Sequence, residues 1–168
     1  MRRIKMLLIG IVAAGCLAGC KQAPDGRALA DGLSLYEVKD EAGTTLTGVR
    51  RATDGKVIVE PGAYMEVRAE EHFIVCRKGT YSFEVFFRDS GKRLGKFDTF
   101  TRFTREGCDY YLGTSYRASC YYFPKYGLDL RATEVESGLH ELRLKVNGKW
   151  QTRKYDGTPA DTTGQSTQ

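Results

Sequence analysis

Residues 81–103 read YSFEVFFRDSGKRLGKFDTFTRF, and their period decides the fold class. Tyr81, Phe83, Val85 and Phe87 take every second position and face away from Ser82, Glu84 and Arg88. Side chains alternate between two faces in this way only on an extended strand. Asp89-Ser90-Gly91-Lys92 supplies a turn, and the chain returns over residues 93–103 with Phe97, Thr99, Thr101 and Phe103 in phase. The pattern predicts a hairpin.

The same period extends outward on both sides. Leu33–Lys39 and residues 56–60 are short apolar runs. After the turn Glu60-Pro61-Gly62, Ala63, Met65, Val67 and Ala69 alternate with Tyr64, Glu66, Arg68 and Glu70. Near the C-terminus Leu142, Leu144 and Val146 alternate with Arg143 and Lys145 ahead of Asn147-Gly148. A two-residue turn there pairs Val146 with Lys149 and sends Trp150 to the opposite face. A three-residue loop pairs Val146 with Trp150 and buries both, and is preferred because an exposed indole forfeits more burial than turn chemistry supplies. Residues 59–64 and 135–140 look alike, but the alternations that follow them run out of phase, so no repeat is established. No 12-residue stretch beyond the apolar N-terminal segment has a helical period. Short strands with Gly-rich turns predict an all-β domain over residues 32–156, a single antiparallel β-sandwich of immunoglobulin-like or transthyretin-like plan.

The flanks read differently. Met1-Arg2-Arg3-Ile4-Lys5 is cationic, and residues 6–17 carry no charge. That apolar run is too short for the roughly 20 helical residues that span a bilayer, and it has the parts of a secretory signal. It ends in Leu17-Ala18-Gly19-Cys20, which resembles the lipobox of bacterial lipoproteins. Cys16 closes a weaker match, Ala13-Ala14-Gly15-Cys16. The resemblance implies that residues 1–19 are removed and that Cys20 carries acyl chains. Two or more such chains anchor a protein stably. In these lipoproteins an aspartate after the cysteine favours the inner membrane. Lys21 stands there, so the outer membrane, facing the periplasm, is the implied address. Residues 20–31 then form a lipidated tether, and residues 157–168, with no large apolar side chain, a disordered tail.

Processing changes the charge. Without Arg2, Arg3 and Lys5 the chain keeps 23 basic against 21 acidic residues, so the formal +5 falls to +2. The two signs are interleaved with no basic stripe, which argues against nucleic acid as a partner. The remaining thiols are Cys76, Cys108 and Cys120. Export permits a disulfide. Cys108–Cys120 closes the shortest loop, Cys76–Cys120 joins distant strands, and a thiol is left over either way.

Residues 108–126 concentrate aromatic side chains: Tyr110, Tyr111, Tyr116, Tyr121, Tyr122, Phe123 and Tyr126, with Arg117 and Lys125 among them. Tyrosines with nearby cations suit recognition of a partner. Alternating aromatics are equally the material of a strand core. Elsewhere the chemistry is sparse. His72 and His140 belong to no metal-ligand spacing, so neither a metal nor a cofactor is expected. Ser115 lacks the second glycine of a nucleophile elbow, and Cys76 within Phe73-Ile74-Val75-Cys76 reads as structural. The function expected is docking of an envelope protein, as a secretion-system accessory or an inhibitor or immunity protein. Cell-wall glycan (peptidoglycan) binding by exposed tyrosines is one rival. An envelope hydrolase is another, and it requires Asp98, Asp109 or His140 to converge, with Asp129 a further isolated acid.

Overall fold

The computed structural model describes residues 26–160. The signal, Cys16, Cys20, most of the tether and residues 161–168 lie outside them. The first sheet contains β1 (Ala28–Ala30), β2 (Leu33–Lys39), β3 (Thr45–Arg51) and β4 (Val57–Gly62). The second holds β5 (Glu66–Ala69), β6 (Phe73–Gly79), β7 (Ser82–Phe87) and β8 (Arg93–Phe97). The third holds β9 (Thr99–Arg105), β10 (Cys108–Ser115), β11 (Ala118–Phe123) and β12 (Leu128–Ala132). The fourth holds β13 (Glu134–Ser137), β14 (Glu141–Val146) and β15 (Lys149–Lys154). Each sheet is an antiparallel meander with strands in chain order. The fold is all-β, as expected. It is not one sandwich.

Three separate cores show how the sheets are arranged. Leu33, Leu35 and Val49 of the first sheet meet Ile74 and Cys76 of the second. Phe73, Val75 and Val85 of the second meet Phe100, Tyr111 and Tyr122 of the third. Tyr110, Tyr121 and Phe123 of the third meet Leu142 and Leu144 of the fourth. Four sheets are therefore stacked face to face, and the two inner sheets are covered on both sides. The correction has a visible cause. Phe73-Ile74-Val75-Cys76 and Cys120-Tyr121-Tyr122-Phe123 are buried at every position, the mark of strands covered on both faces.

The chain passes between sheets through very short links: three residues at 63–65, then Asp98 alone, then Thr133 alone. In each link an amide donates to the second strand of the sheet being entered: Met65 to Arg77 O at 2.8 Å, Asp98 to Thr114 O at 2.7 Å, Thr133 to Lys145 O at 3.0 Å. The return strand expected over residues 93–103 is thus two strands in two facing sheets. Inward reverses on crossing, so the buried phase shifts from Phe97 to Phe100, and those rings stack at 5.7 Å. Phe103, expected in the row, is on the other face and stacks on Tyr110. Arginines tie the layers: Arg88 donates to Asp31 O at 2.8 Å, and Arg131 to Leu94 O at 3.0 Å. Gly113 is required by packing, because a Cβ there would stand 2.6 Å from the Phe97 ring.

Several local expectations are corrected. All three described thiols are free. Cys120 pairs with Gly113, and Cys108 lies five residues from Gly113 along β10. That is roughly 17 Å at about 3.3 Å per residue, beyond the about 7 Å that a disulfide spans between Cα atoms. Cys76 and Cys120 point into different cores. Val146 pairs with Lys149 and Lys145 with Trp150, so the last hairpin has the two-residue turn and Trp150 lies on the outer face. Pairing is found close to both ends of the described residues. β1 lies within the tether and pairs with β2, and Tyr155 is buried while Ala160 donates to Thr152 O at 3.0 Å. The look-alike segments fall in β4 and β13, the last strand of one sheet and the first of another.

Candidate docking surface

Because every link is one to three residues, each sheet begins at the end of the stack where the previous one finished. Strands β2, β6, β10 and β14 consequently run toward the same end. Their hairpin turns, at 40–44, 80–81, 116–117 and 147–148, gather there with the three links. Called the tip end, it carries Met65, Tyr81 and Tyr116, which are 68%, 73% and 96% exposed, and Trp150 lies just beneath it at 40%. Arg117 is exposed beside Tyr116. Facing sheets stand about 10 Å apart, so a row from Met65 to Trp150 spans roughly 20–30 Å along the stack. That is the scale of one side of a standard protein interface, about 800 Å².

The expected partner-binding residues divide sharply. Tyr110, Tyr111, Tyr121 and Tyr122 are buried, two toward each neighbouring sheet. They are core and offer no contact surface. The reason is that β10 and β11 are covered twice. Tyr116 and Arg117 occupy the β10–β11 tip. Tyr126 and Lys125 sit at the opposite end of β11, where Lys125 is bound to Asp156 at 2.9 Å and lies over the Tyr126 ring. Tyr116 and Tyr126 therefore do not form one coplanar platform. Sequence reasoning missed Met65 and placed Tyr81 in the core row. The turn signal Gly79-Thr80 just before Tyr81 was the clue that it crowns a hairpin.

Beneath the tips lies a buried polar network. Glu84, whose side chain is 7% exposed, accepts from the Tyr64 hydroxyl at 3.1 Å, with Lys96 at 3.1 Å and Lys78 at 3.3 Å. Burial alone pushes its carboxyl up, but the hydrogen bonds from Lys96 and Tyr64 and the nearby Lys78 outweigh that and hold it below the usual glutamate range. Cys76 is the direct cross-strand partner of Glu84. Burial pushes its thiol up to about 12, which leaves it unreactive at neutral pH.

The other end carries a polar cleft and several ion pairs, with Tyr126 and Leu139 exposed there at 52% and 72%. An open cleft of about 410 Å³ is lined by Asp31, Arg51, Thr53, Glu71, Arg88 and Asp89 among others. Arg51 pairs with Asp54 and Arg102 with both Glu71 and Asp109. His72 approaches Glu71 at 3.8 Å, and His140 bonds Glu106. Asp98 belongs to the tip end and Asp109 to this one. They are separated by the five residues of β10 from Asp109 to Thr114, roughly 17 Å. Asp109 is held by Arg102 and Thr104 and stays ionised below the usual aspartate range. The trio that hydrolysis would need is not brought together. Among the described residues no group of three His, Cys, Asp or Glu side chains is placed to hold a metal ion, and no helix is long and apolar enough to cross a membrane.

No family model and no curated protein matches the chain. The tip end offers a stack that presents exposed aromatic side chains at its turns.

Proposed function

We propose that this is a lipoprotein anchored through Cys20 to the outer membrane, facing the periplasm, that docks a protein of the cell envelope with its tip end. The observation that carries the reading is the exposure of Tyr81 and Tyr116 on successive hairpin tips. A tyrosine left in water makes no contribution to folding that a polar residue would not match. Held on a rigid turn, it brings large contact area at small entropy cost, as interface anchors do. The lipobox-like Leu17-Ala18-Gly19-Cys20 supports the anchor. A secretion-system accessory and an inhibitor or immunity protein both fit such a partner-binding role.

Photo-crosslinking amino acids placed at 81, 116 and 126 in cells test it. Adducts with one protein from positions 81 and 116, and none from 126, are expected. Adducts with cell-wall glycan alone, or equal yields at all three positions, would sink the docking model. The anchor is tested separately: labelled palmitate should enter the wild type and not Cys20→Ser.

A further inference from the structure

The stack ends in two open faces that differ in how much charge they carry. On the fourth sheet the outer face carries Glu134, Glu136, Arg143 and Lys145, paired as Arg143–Glu136 and Lys145–Glu134. On the first sheet the register places Ser34 opposite Arg50, Tyr36 opposite Gly48, Val38 opposite Leu46, and Val57 opposite Arg50. These residues lie on the face turned away from Leu33, Leu35 and Val49, and none belongs to a core. Val38 and Val57 are 40% and 42% exposed. The Arg50 guanidinium lies over the Tyr36 ring at 5.7 Å. This face is apolar at Val38, Leu46 and Val57, and at its middle Tyr36 lies between the Arg50 cation and the exposed Glu60 carboxylate, whose charge acts on the Tyr36 phenol.

The start of the described chain says what can reach it. Gly26 packs against Ser34 and Leu35 in the first sheet, so close that a Cβ would stand 2.9 Å from the Ser34 side chain. Only six chain steps, through the five residues 21–25, separate Cys20 from Gly26. At no more than about 3.5 Å per residue they reach roughly 20 Å. An acylated Cys20 thus holds the first sheet beside the lipid, with the fourth sheet about 30 Å farther along the stack.

We infer that the outer face of the first sheet rests on the phospholipid surface, Val38, Leu46 and Val57 entering the interface with Tyr36 and Arg50 at headgroup level. This rests on the lipid anchor proposed above and goes beyond it by assigning the membrane-facing surface. Tyrosine belongs at that depth because its ring is apolar and its hydroxyl wet. A guanidinium matches a phosphate in fork geometry. The anchor supplies the high local concentration that a small patch needs.

Trp150, the single tryptophan of the chain, gives the control. Acylated full-length protein is placed in phosphatidylcholine vesicles with brominated acyl chains. It is compared with Val38→Trp and Val57→Trp, each made with Trp150→Phe. Indoles seated about 5–10 Å into the boundary should lose fluorescence about twofold or more, while the native Trp150 keeps its intensity. Co-flotation without quenching at either position, or with quenching at only one, overturns the face while leaving the anchor intact. A protein that fails to float overturns the anchor reading and this inference together. Loss of iodide quenching at both positions in vesicle-free solution marks a second copy as the occupant and overturns it too.

Discussion

Glu84 shows how a single buried charge is tolerated. Its partners Lys78 and Lys96 are 40% and 64% exposed, so each ammonium keeps much of its water. Removing the carboxylate leaves chiefly the Tyr64 hydroxyl unpaired. The loss from Glu84→Ala should then fall at about 1–3 kcal/mol, below the 3–5 kcal/mol of breaking a fully buried pair. The pH dependence has a definite sign. The folded carboxyl is held below its unfolded value, so its charge stabilises above about pH 4.3 and that share fades as pH falls. Urea midpoints of wild type and Glu84→Gln should differ at pH 7 and converge toward pH 3; a gap constant with pH would refute the network. The thiols offer a second check at this scale. Burial pushes Cys76 up to about 12 and Cys120 up to about 11, whereas Cys108 is partly exposed. In a chain beginning at Lys21, a thiol reagent at pH 8 should label only Cys108 while the protein is folded. In denaturant without reductant it should label all three, and two missing thiols would restore a disulfide.

The last hairpin is decided at the level of the element. Asn147 and Gly148 have φ of 51° and 77°, the positive pair that a two-residue turn matched to strand twist demands. That turn sets the register and so the face of Trp150. The burial argument for a longer loop fails because the indole is not simply abandoned to water. Arg143 and Lys145 lie 5.1 and 5.9 Å from its ring, and it is 40% exposed. Meanwhile Leu142 and Leu144 already fill the inner face. Leu144→Ala should therefore cost about 2–5 kcal/mol as a core truncation. Trp150→Ala should cost under about 1 kcal/mol, the worth of an exposed cation–π contact. Denaturant titration of the two variants checks the order, and a reversed order would mean the register is wrong.

For the molecule as a whole, each sheet is stable only against its neighbours. Interactions are nearly one-dimensional, as in stacked repeats. A chain ended at Thr133 would uncover Tyr110, Tyr121 and Phe123 together. A contiguous apolar face of that kind drives association. The shortened protein is expected to bind a hydrophobic dye strongly and to sediment as aggregates, whereas the full domain stays monodisperse. A soluble, dye-silent truncation would show that the third sheet needs no cover.

Local order was legible in the residues because it is set by local chemistry. Leu33–Lys39 is the strand its short apolar run announces, Asp89–Lys92 turns, and Asn147-Gly148 holds the backbone twist that only such residues adopt cheaply. The sequence by itself also carries the lipobox-like tetrapeptide and the tyrosine-rich segment. It did not reveal which tyrosines are free. Tyr110 and Tyr121 are core only because a fourth sheet, formed some 20 residues later, covers them. Nor did it reveal where one sheet ends. Asp98 and Thr133 have no distinctive local preference, and at Asp98 the alternation continues while the meaning of inward reverses. Tertiary structure alone decided how strands divide among four sheets and which turns share one end, because those choices depend on burying a second face, which no period along a single strand records.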